Sequence, residues 1–290
     1  MEKQQDPTQV QPEPQHQDKN PGIEQEMHPR PVYDYEEEQG HGKLKDKVAI
    51  ITGGDSGIGR AVAVLFAKEG AEVVVVYLDE EADAKETAES VKKYGREALL
   101  IATDIAIEEN CKMVIGKTIE RFGKLDILVN NAAVQFGEPS LEEISGKDVE
   151  RTFNVNIISQ FYLSKYAVPH LKEGSSIINT ASVNAYKGNE TLLSYSSTKG
   201  AIVAFTRSIC QSLIKKGIRV NAVAPGPVWT PFIPSSMPAE KVGEFGKNVA
   251  MGRPAQPVEI APSYLFLASR DGTFFSGQVL HPNGGSVVNA

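Results

Sequence analysis

The chain has 290 residues, 23% of them charged, with a formal net charge of −7, which leaves room for one large α/β domain or two small ones. Residues 1–42 hold ten acids and three bases, and the rest carries 27 of each, so the globular part has no basic excess to attract nucleic acid. No apolar run approaches bilayer-spanning length and no charged-then-apolar leader opens the chain, so a soluble, non-exported, cytoplasmic protein with no membrane partner is expected.

Residues 1–42 are rich in Gln, Pro, Glu and His and poor in apolar residues. Such a segment cannot bury enough surface to offset its own ordering entropy. It reads as a tail, flexible or laid along the surface, with Met27, Pro29, Pro31, Val32, Tyr33 and Tyr35 able to pin its later half to the domain or to a neighbouring subunit. His16, His28 and His41 are too scattered for a metal site, and no metal is expected. Cys111 and Cys210, each in a helix-like pattern, read as free thiols in a reducing compartment.

From residue 43 the texture changes to a single domain running to residue 290. Val48–Ile51 reads as a buried strand ended by Thr52-Gly53-Gly54, followed by a helix over 61–68 closed by Gly70. Val73–Val76 is a second strand, 80–94 a helix, 98–101 a strand, 108–122 a helix and 127–129 a strand. A long helix is expected across 147–171, then a strand at 176–178, a helix at 194–215 and a strand at 218–223. A helix over 257–268 and a short strand at 278–280 complete the pattern. Apolar strands alternating with helices imply a doubly wound parallel sheet, an α/β Rossmann fold in three layers. The segment 227–253 is long for a connection inside such a domain and reads as a lid over the substrate.

Thr52-Gly53-Gly54-Asp55-Ser56-Gly57-Ile58-Gly59 joins the first strand to the first helix. Gly53 permits the tight turn, Gly57 lets the backbone approach a pyrophosphate, and Gly59 allows close helix–sheet packing. The phosphates would face the free N–H groups of the helix start. The end of the second strand, which reads the adenosine ribose in a dinucleotide fold, is Tyr77-Leu78-Asp79. No Lys or Arg is placed there for a 2′-phosphate and Asp55 would repel one, which tilts the expectation toward NAD over NADP. Tyr77 occupies the position where a carboxylate is expected; Asp79 either serves instead or is solvated.

Tyr195 and Lys199 lie one turn apart on a helix, and Ser182 precedes them at a strand end. Residues at i and i+4 share a helix face, so a phenol and an ammonium can address one substrate atom. A phenol titrates near a pKa of about 10, and a cation beside it favours the phenolate. Ser182 would supply a hydrogen bond to the same oxygen. By itself the pattern also fits a surface tyrosine with a solvated lysine.

These motifs together resemble the short-chain dehydrogenase/reductase family in its compact single-domain branch, from about residue 44 to the C-terminus. The resemblance includes Thr-Gly-x-x-x-Gly-x-Gly at 52–59, Asp104, Asn130-Asn131-Ala132-Ala133, Asn156, Ser182, Tyr195, Lys199, Pro225-Gly226 and Thr230. The pattern is most similar to bacterial members of general-stress and sugar-dehydrogenase-like type, which carry Gly-Gly-Asp-Ser-Gly-Ile-Gly and an N-terminal extension. It implies that Asp104 and Ile105 hold the adenine, that Asn130 and Ala132 line the channel beside the ribose, and that Val228 and the Pro225-Gly226 turn flank the carboxamide, which Thr230 bonds. Asn156 would bend its helix, position a water and link Lys199 to solvent. Ser182 would hold the substrate oxygen and Tyr195 exchange its proton. Lys199 would bond the nicotinamide ribose and lower the phenol's pKa.

Hydride transfer between nicotinamide and an alcohol or carbonyl substrate is the chemistry implied, the substrate being a sugar, a polyol or a small aldehyde or ketone. Gln135, Phe136, Asn184, Tyr186, Glu190 and Trp229 are candidate pocket walls, although Trp229 and Phe232 could equally pack the lid closed. A non-catalytic dinucleotide sensor on the same fold is the competing class; an enoyl reductase usually spaces its tyrosine and lysine more widely. The family also implies a homotetramer in which the helices at 147–171 and 194–215 pair with symmetry mates.

Overall fold

A computed structural model describes residues 7–138 and 140–288. Strand β1, Val48–Thr52, is buried along its whole length. It lies third in a seven-stranded sheet of order β3-β2-β1-β4-β5-β6-β7. The partners are β2 (Glu72–Tyr77), β3 (Ala98–Ala102), β4 (Ile127–Asn130), β5 (Ser176–Thr180), β6 (Arg219–Val223) and β7 (Val279–Leu280). Every pairing is parallel. Val73 to Val76 are buried on both faces of the sheet, each side chain worth about 1.5–3 kcal/mol relative to exposure; this is why the strand is apolar throughout rather than alternating.

The helices α1 (Gly57–Lys68), α2 (Glu81–Lys93) and α3 (Glu108–Phe122) follow the first three strands. The expected long helix at 147–171 is broken into α4 (Gly146–Phe153), a π turn at Asn154–Ile158, and α5 (Ser159–Ala167), closed by a short 3₁₀ turn at Val168–His170. After α6 (Asn184–Lys187) comes the 21-residue α7, Leu193–Leu213. Helices α8 (Ala239–Gly243) and α9 (Pro257–Ala268) complete the set. One core cluster joins α1 and α9 to one face of the sheet, and a second joins α3 and α5 to the other. The switch between β3-β2-β1 and β4-β5-β6 places a crevice at the carboxyl ends of β1 and β4, where ligands bind in such folds.

The N-terminal segment is packed on the domain. Gln17 N–H donates to the Pro234 carbonyl at 2.9 Å, and Val258 N–H to the Val32 carbonyl at 3.0 Å. Met27 is fully buried with Trp229, Ile233 and Val242. Cys111 and Cys210 are free thiols. Among the described residues no helix is long and apolar enough to cross a membrane.

Candidate active site

The turn after β1 is built by close contact. Gly53 and Gly57 have φ of +62° and +51°, a region open chiefly to glycine. A Cβ on Gly59 would lie 1.7 Å from the Gly53 carbonyl oxygen, so helix α1 rests directly on the turn. The Thr52 hydroxyl accepts from the N–H groups of Asn131 and Ala132 at 2.9 and 3.1 Å. The Asn131 amide donates back to the Thr52 and Gly53 carbonyls at 3.1 and 3.2 Å. The glycine-rich turn and the β4 loop are thereby one rigid wall.

That wall bounds a cleft of about 1040 Å³ counted to its open mouth. It is lined by Gly53, Asp55, Ser56, Gly57 and Ile58 of the glycine-rich turn, by Tyr77 and Leu78 after β2, by Asp104 and Ile105 after β3, and by Asn131, Ala132, Ala133 and Thr230. Tyr195 and Lys199 line it as well. Asp104 accepts from Arg151 at 2.7 Å and from Ala106 N–H at 3.0 Å, which fixes its carboxylate at the rim. Helix-start N–H groups, small residues and a lysine on one elongated cleft fit a dinucleotide.

Several predicted contacts are not at the cleft surface. The side chain of Asn130, on the central strand β4, donates to its neighbour Asn179 on β5 at 2.9 Å. Gly59 packs on the turn, and Gly226 is pressed against Asn283. Pro225 and Val228 are also absent from the lining. Asp79 points outward to Lys19 at 2.8 Å, and it is the buried neighbour Glu80 that lines the cleft. Burial pushes the Glu80 carboxyl up to about 7. Burial likewise raises the Asp55 carboxyl to about 6.

Ser182 lies near enough to the Tyr195 phenol to pull its proton affinity down. Lys199 Nζ lies 5.3 Å from the centre of the Tyr195 ring and donates to the Thr180 carbonyl at 2.7 Å. Burial pushes Tyr195 up to about 12, against the pull of Ser182. Burial also pushes Lys199 down to about 7. The expectation that Lys199 holds the phenol below its ordinary value is therefore corrected for the chain itself: both groups share one dehydrated pocket, which penalises each charged form. Asn156, fully buried in the π turn, accepts from Val134 N–H at 2.8 Å and donates to the Val134 carbonyl and the Thr198 hydroxyl at 2.9 and 3.1 Å. It ties the helix break to the β4 loop and to the residue before Lys199.

The expected pocket walls divide. Gln135 and Phe136 line a second cavity between the N-terminal segment and residues 235–239. Asn184, Tyr186 and Glu190 line neither cavity. Trp229 is no substrate wall. It is fully buried, and its indole N–H donates to the Pro29 carbonyl at 2.7 Å, the partner that a buried indole requires. Phe232 reaches the cleft instead, its ring 5.9 Å from that of Tyr195. Pro21 and Gly22 also line the cleft; no sequence signal marked them, because their place is set by contacts remote in the chain.

Residues 53–286 match the family model described as Enoyl-(Acyl carrier protein) reductase. The chain belongs to the short-chain dehydrogenase/reductase family. It is 53% identical to NADPH-dependent aldehyde reductase 1, chloroplastic, of Arabidopsis thaliana, over 96% of this chain and 99% of that protein. It is 50% identical to the glucose and ribitol dehydrogenase of Daucus carota, over 95% and 97%. A short-chain dehydrogenase from Burkholderia cenocepacia J2315, solved with NADP, superposes with a TM-score of 0.78 at 30% identity, covering 84% of this chain and 98% of that one. This short-chain dehydrogenase/reductase is an NAD(P)-dependent oxidoreductase that interconverts alcohols and carbonyls.

Proposed function

We propose that Tyr195 is the general acid/base of this reaction, that Ser182 holds the substrate oxygen, and that Lys199 and Asn156 complete the group. The supporting observation is that Tyr195 and Lys199 share one cleft with the glycine-rich turn, with Ser182 near enough to pull on the phenol. Nicotinamide, when bound, supplies or accepts the hydride. Tyr195 gives its proton to the carbonyl oxygen in reduction and takes the hydroxyl proton in oxidation. The Ser182 hydroxyl polarises the same oxygen. The phenol is raised by burial, so the proton-donating form is the resident one in the chain itself.

The substrate proposed is a sugar, a polyol or a small aldehyde or ketone, the classes named for the Arabidopsis and carrot relatives. Phe232 offers an apolar wall beside Tyr195, and residues 227–253 act as the lid. NAD is the cofactor proposed over NADP: the carboxyls of Asp55 and Glu80 line the cleft, and Lys19 is engaged with Asp79 and Glu80. Tighter binding of NADPH than of NADH would overturn that preference. A cytoplasmic homotetramer is the proposed working form.

The deciding experiment is Tyr195→Phe. Cofactor binding by nicotinamide fluorescence is expected to stay near wild type, while turnover on an aldehyde and sugar panel falls by about 10²–10⁴-fold. Turnover retained in that variant would contradict the assignment.

A further inference from the structure

Helix α1 starts without help from its own neighbourhood: Ser56, at the N-cap position, makes no side-chain cap bond. The first N–H of the helix, that of Gly57, donates instead to Glu24 Oε2 at 2.6 Å, a residue 33 positions earlier. Glu24 is fully buried, as is Arg60 in the same helix, and the other Glu24 oxygen accepts from Arg60. The Arg60 guanidinium also donates to the Asp55 carbonyl at 2.9 Å and to Thr87 and the Asp83 carbonyl at 3.0 Å each. Through Arg60, the Glu24 carboxylate therefore grips both the helix start and the turn before it. The Glu24 N–H is itself held by Asp83 at 2.7 Å.

The same segment forms part of the cleft, since Pro21 and Gly22 line it. Gly22 admits nothing larger: a Cβ would lie 2.5 Å from the Pro231 carbonyl at the root of the lid. The segment from Gly22 to Glu24 is thus wedged between the lid and the phosphate-binding turn. Arg60, with Arg30 at 4.0 Å, offsets the charge of a carboxylate this close to where an anion must bind, and burial pushes the Glu24 carboxyl up to about 7. With Gly57 N–H taken, the donors left for a phosphate begin at Ile58, which faces the cleft.

We propose that Glu24 is a positioning residue for the dinucleotide: from the N-terminal segment it sets the first turn of α1 and Arg60 in the geometry that meets the pyrophosphate. This rests on the reading of the cleft as a nicotinamide dinucleotide site. It makes the segment a working part of the enzyme, and it predicts that the defect of a Glu24 variant is confined to the phosphate-bearing part of the ligand.

The test uses the full-length chain and titrates NADH directly, with ADP and adenosine as competitors. Glu24→Ala is expected to weaken NADH and ADP about tenfold and to leave adenosine unchanged. The cofactor KM rises in step, while kcat stays within about twofold. Glu24→Gln keeps an oxygen for the Gly57 N–H and is expected to recover most of the ADP affinity. Should Glu24→Ala fail to fold by circular dichroism, Glu24→Asp keeps the charge but shortens the reach, and must show the same ADP-selective loss. ADP affinity equal to or tighter than wild type in the folded Glu24→Ala chain, or adenosine weakened as much as ADP, overturns the proposal. A wild-type chain that binds neither NADH nor NADPH would sink the dinucleotide reading as well, whereas wild-type binding with an indifferent Glu24→Ala sinks this proposal alone.

Discussion

Tyr195 and Lys199 are buried in one pocket and are pushed in opposite directions by it, the phenol to about 12 and the ammonium to about 7. The sign of the consequence is direct. A raised phenol is protonated across neutral pH, so the donor for reduction is fully present there. The base for oxidation is scarce and grows about tenfold per pH unit. Oxidation kcat/KM is therefore expected to climb steadily from about pH 7 to 10, while the Tyr195 contribution to reduction stays level over that range. Profiles of both directions measure this. A reduction rate falling tenfold per unit from neutrality, with the slope lost in Tyr195→Phe, would mean that Lys199 holds the phenol ionised well below the value burial dictates. The pairing of Ser182, Tyr195 and Lys199 was readable from spacing, because one helix turn and one strand end bring them together in almost any version of this fold. Their protonation was not readable, because it depends on how much water the finished pocket excludes.

At the scale of elements, α1 depends on its glycines unequally with other helices. A Cβ at Gly59 would strike the Gly53 carbonyl at 1.7 Å, and backbone cannot yield as a flexible side chain can. Gly116, exposed inside α3, has nothing within 4 Å of its added Cβ. Gly59→Ala is expected to cost about 3 kcal/mol or more by forcing helix and turn apart. Gly116→Ala should instead stabilise by up to about 1 kcal/mol through helix propensity. Thermal unfolding of the two variants checks the pair; equal shifts would show that α1 does not rest on the turn as described. The positions of α1, α3 and the apolar strands followed from periodicity and punctuation. The π turn at Asn154–Ile158 did not, because a five-residue bulge has no period of its own and is held by Asn156 bonding across to Val134. The pinning of the N-terminal segment through Met27, Pro29 and Val32 was legible, but its passage past the glycine-rich turn was not: Glu24 is an ordinary polar residue in sequence, and only Arg60 and Gly57, remote in the chain, explain its burial.

At the scale of the whole molecule, two apolar features face outward on different sides. Phe161 of α5 is half exposed, at 52%, and stacks on Phe205 of α7 with centroids 4.2 Å apart. Phe274 is fully exposed, next to β7, a two-residue edge strand with one side unpaired. Exposed aromatics on long helices and an open sheet edge are both surfaces that a symmetric assembly covers. The proposed homotetramer, with two-fold axes, needs two distinct self-complementary faces, and these two are on separate elements. Placing a charge on either face should therefore remove one kind of contact and leave the other. Phe161→Asp is expected to yield dimers joined through the β7 edge, Phe274→Asp dimers joined through α5 and α7, and the double variant monomers. Sedimentation velocity distinguishes these outcomes, with cofactor binding as the check that each protomer stays folded, since neither residue lines the cleft. A double variant that remains tetrameric would place the contacts elsewhere. A single variant that falls straight to monomers would mean that the two faces are not independent, and that assembly is cooperative across the sheet edge and the helix pair.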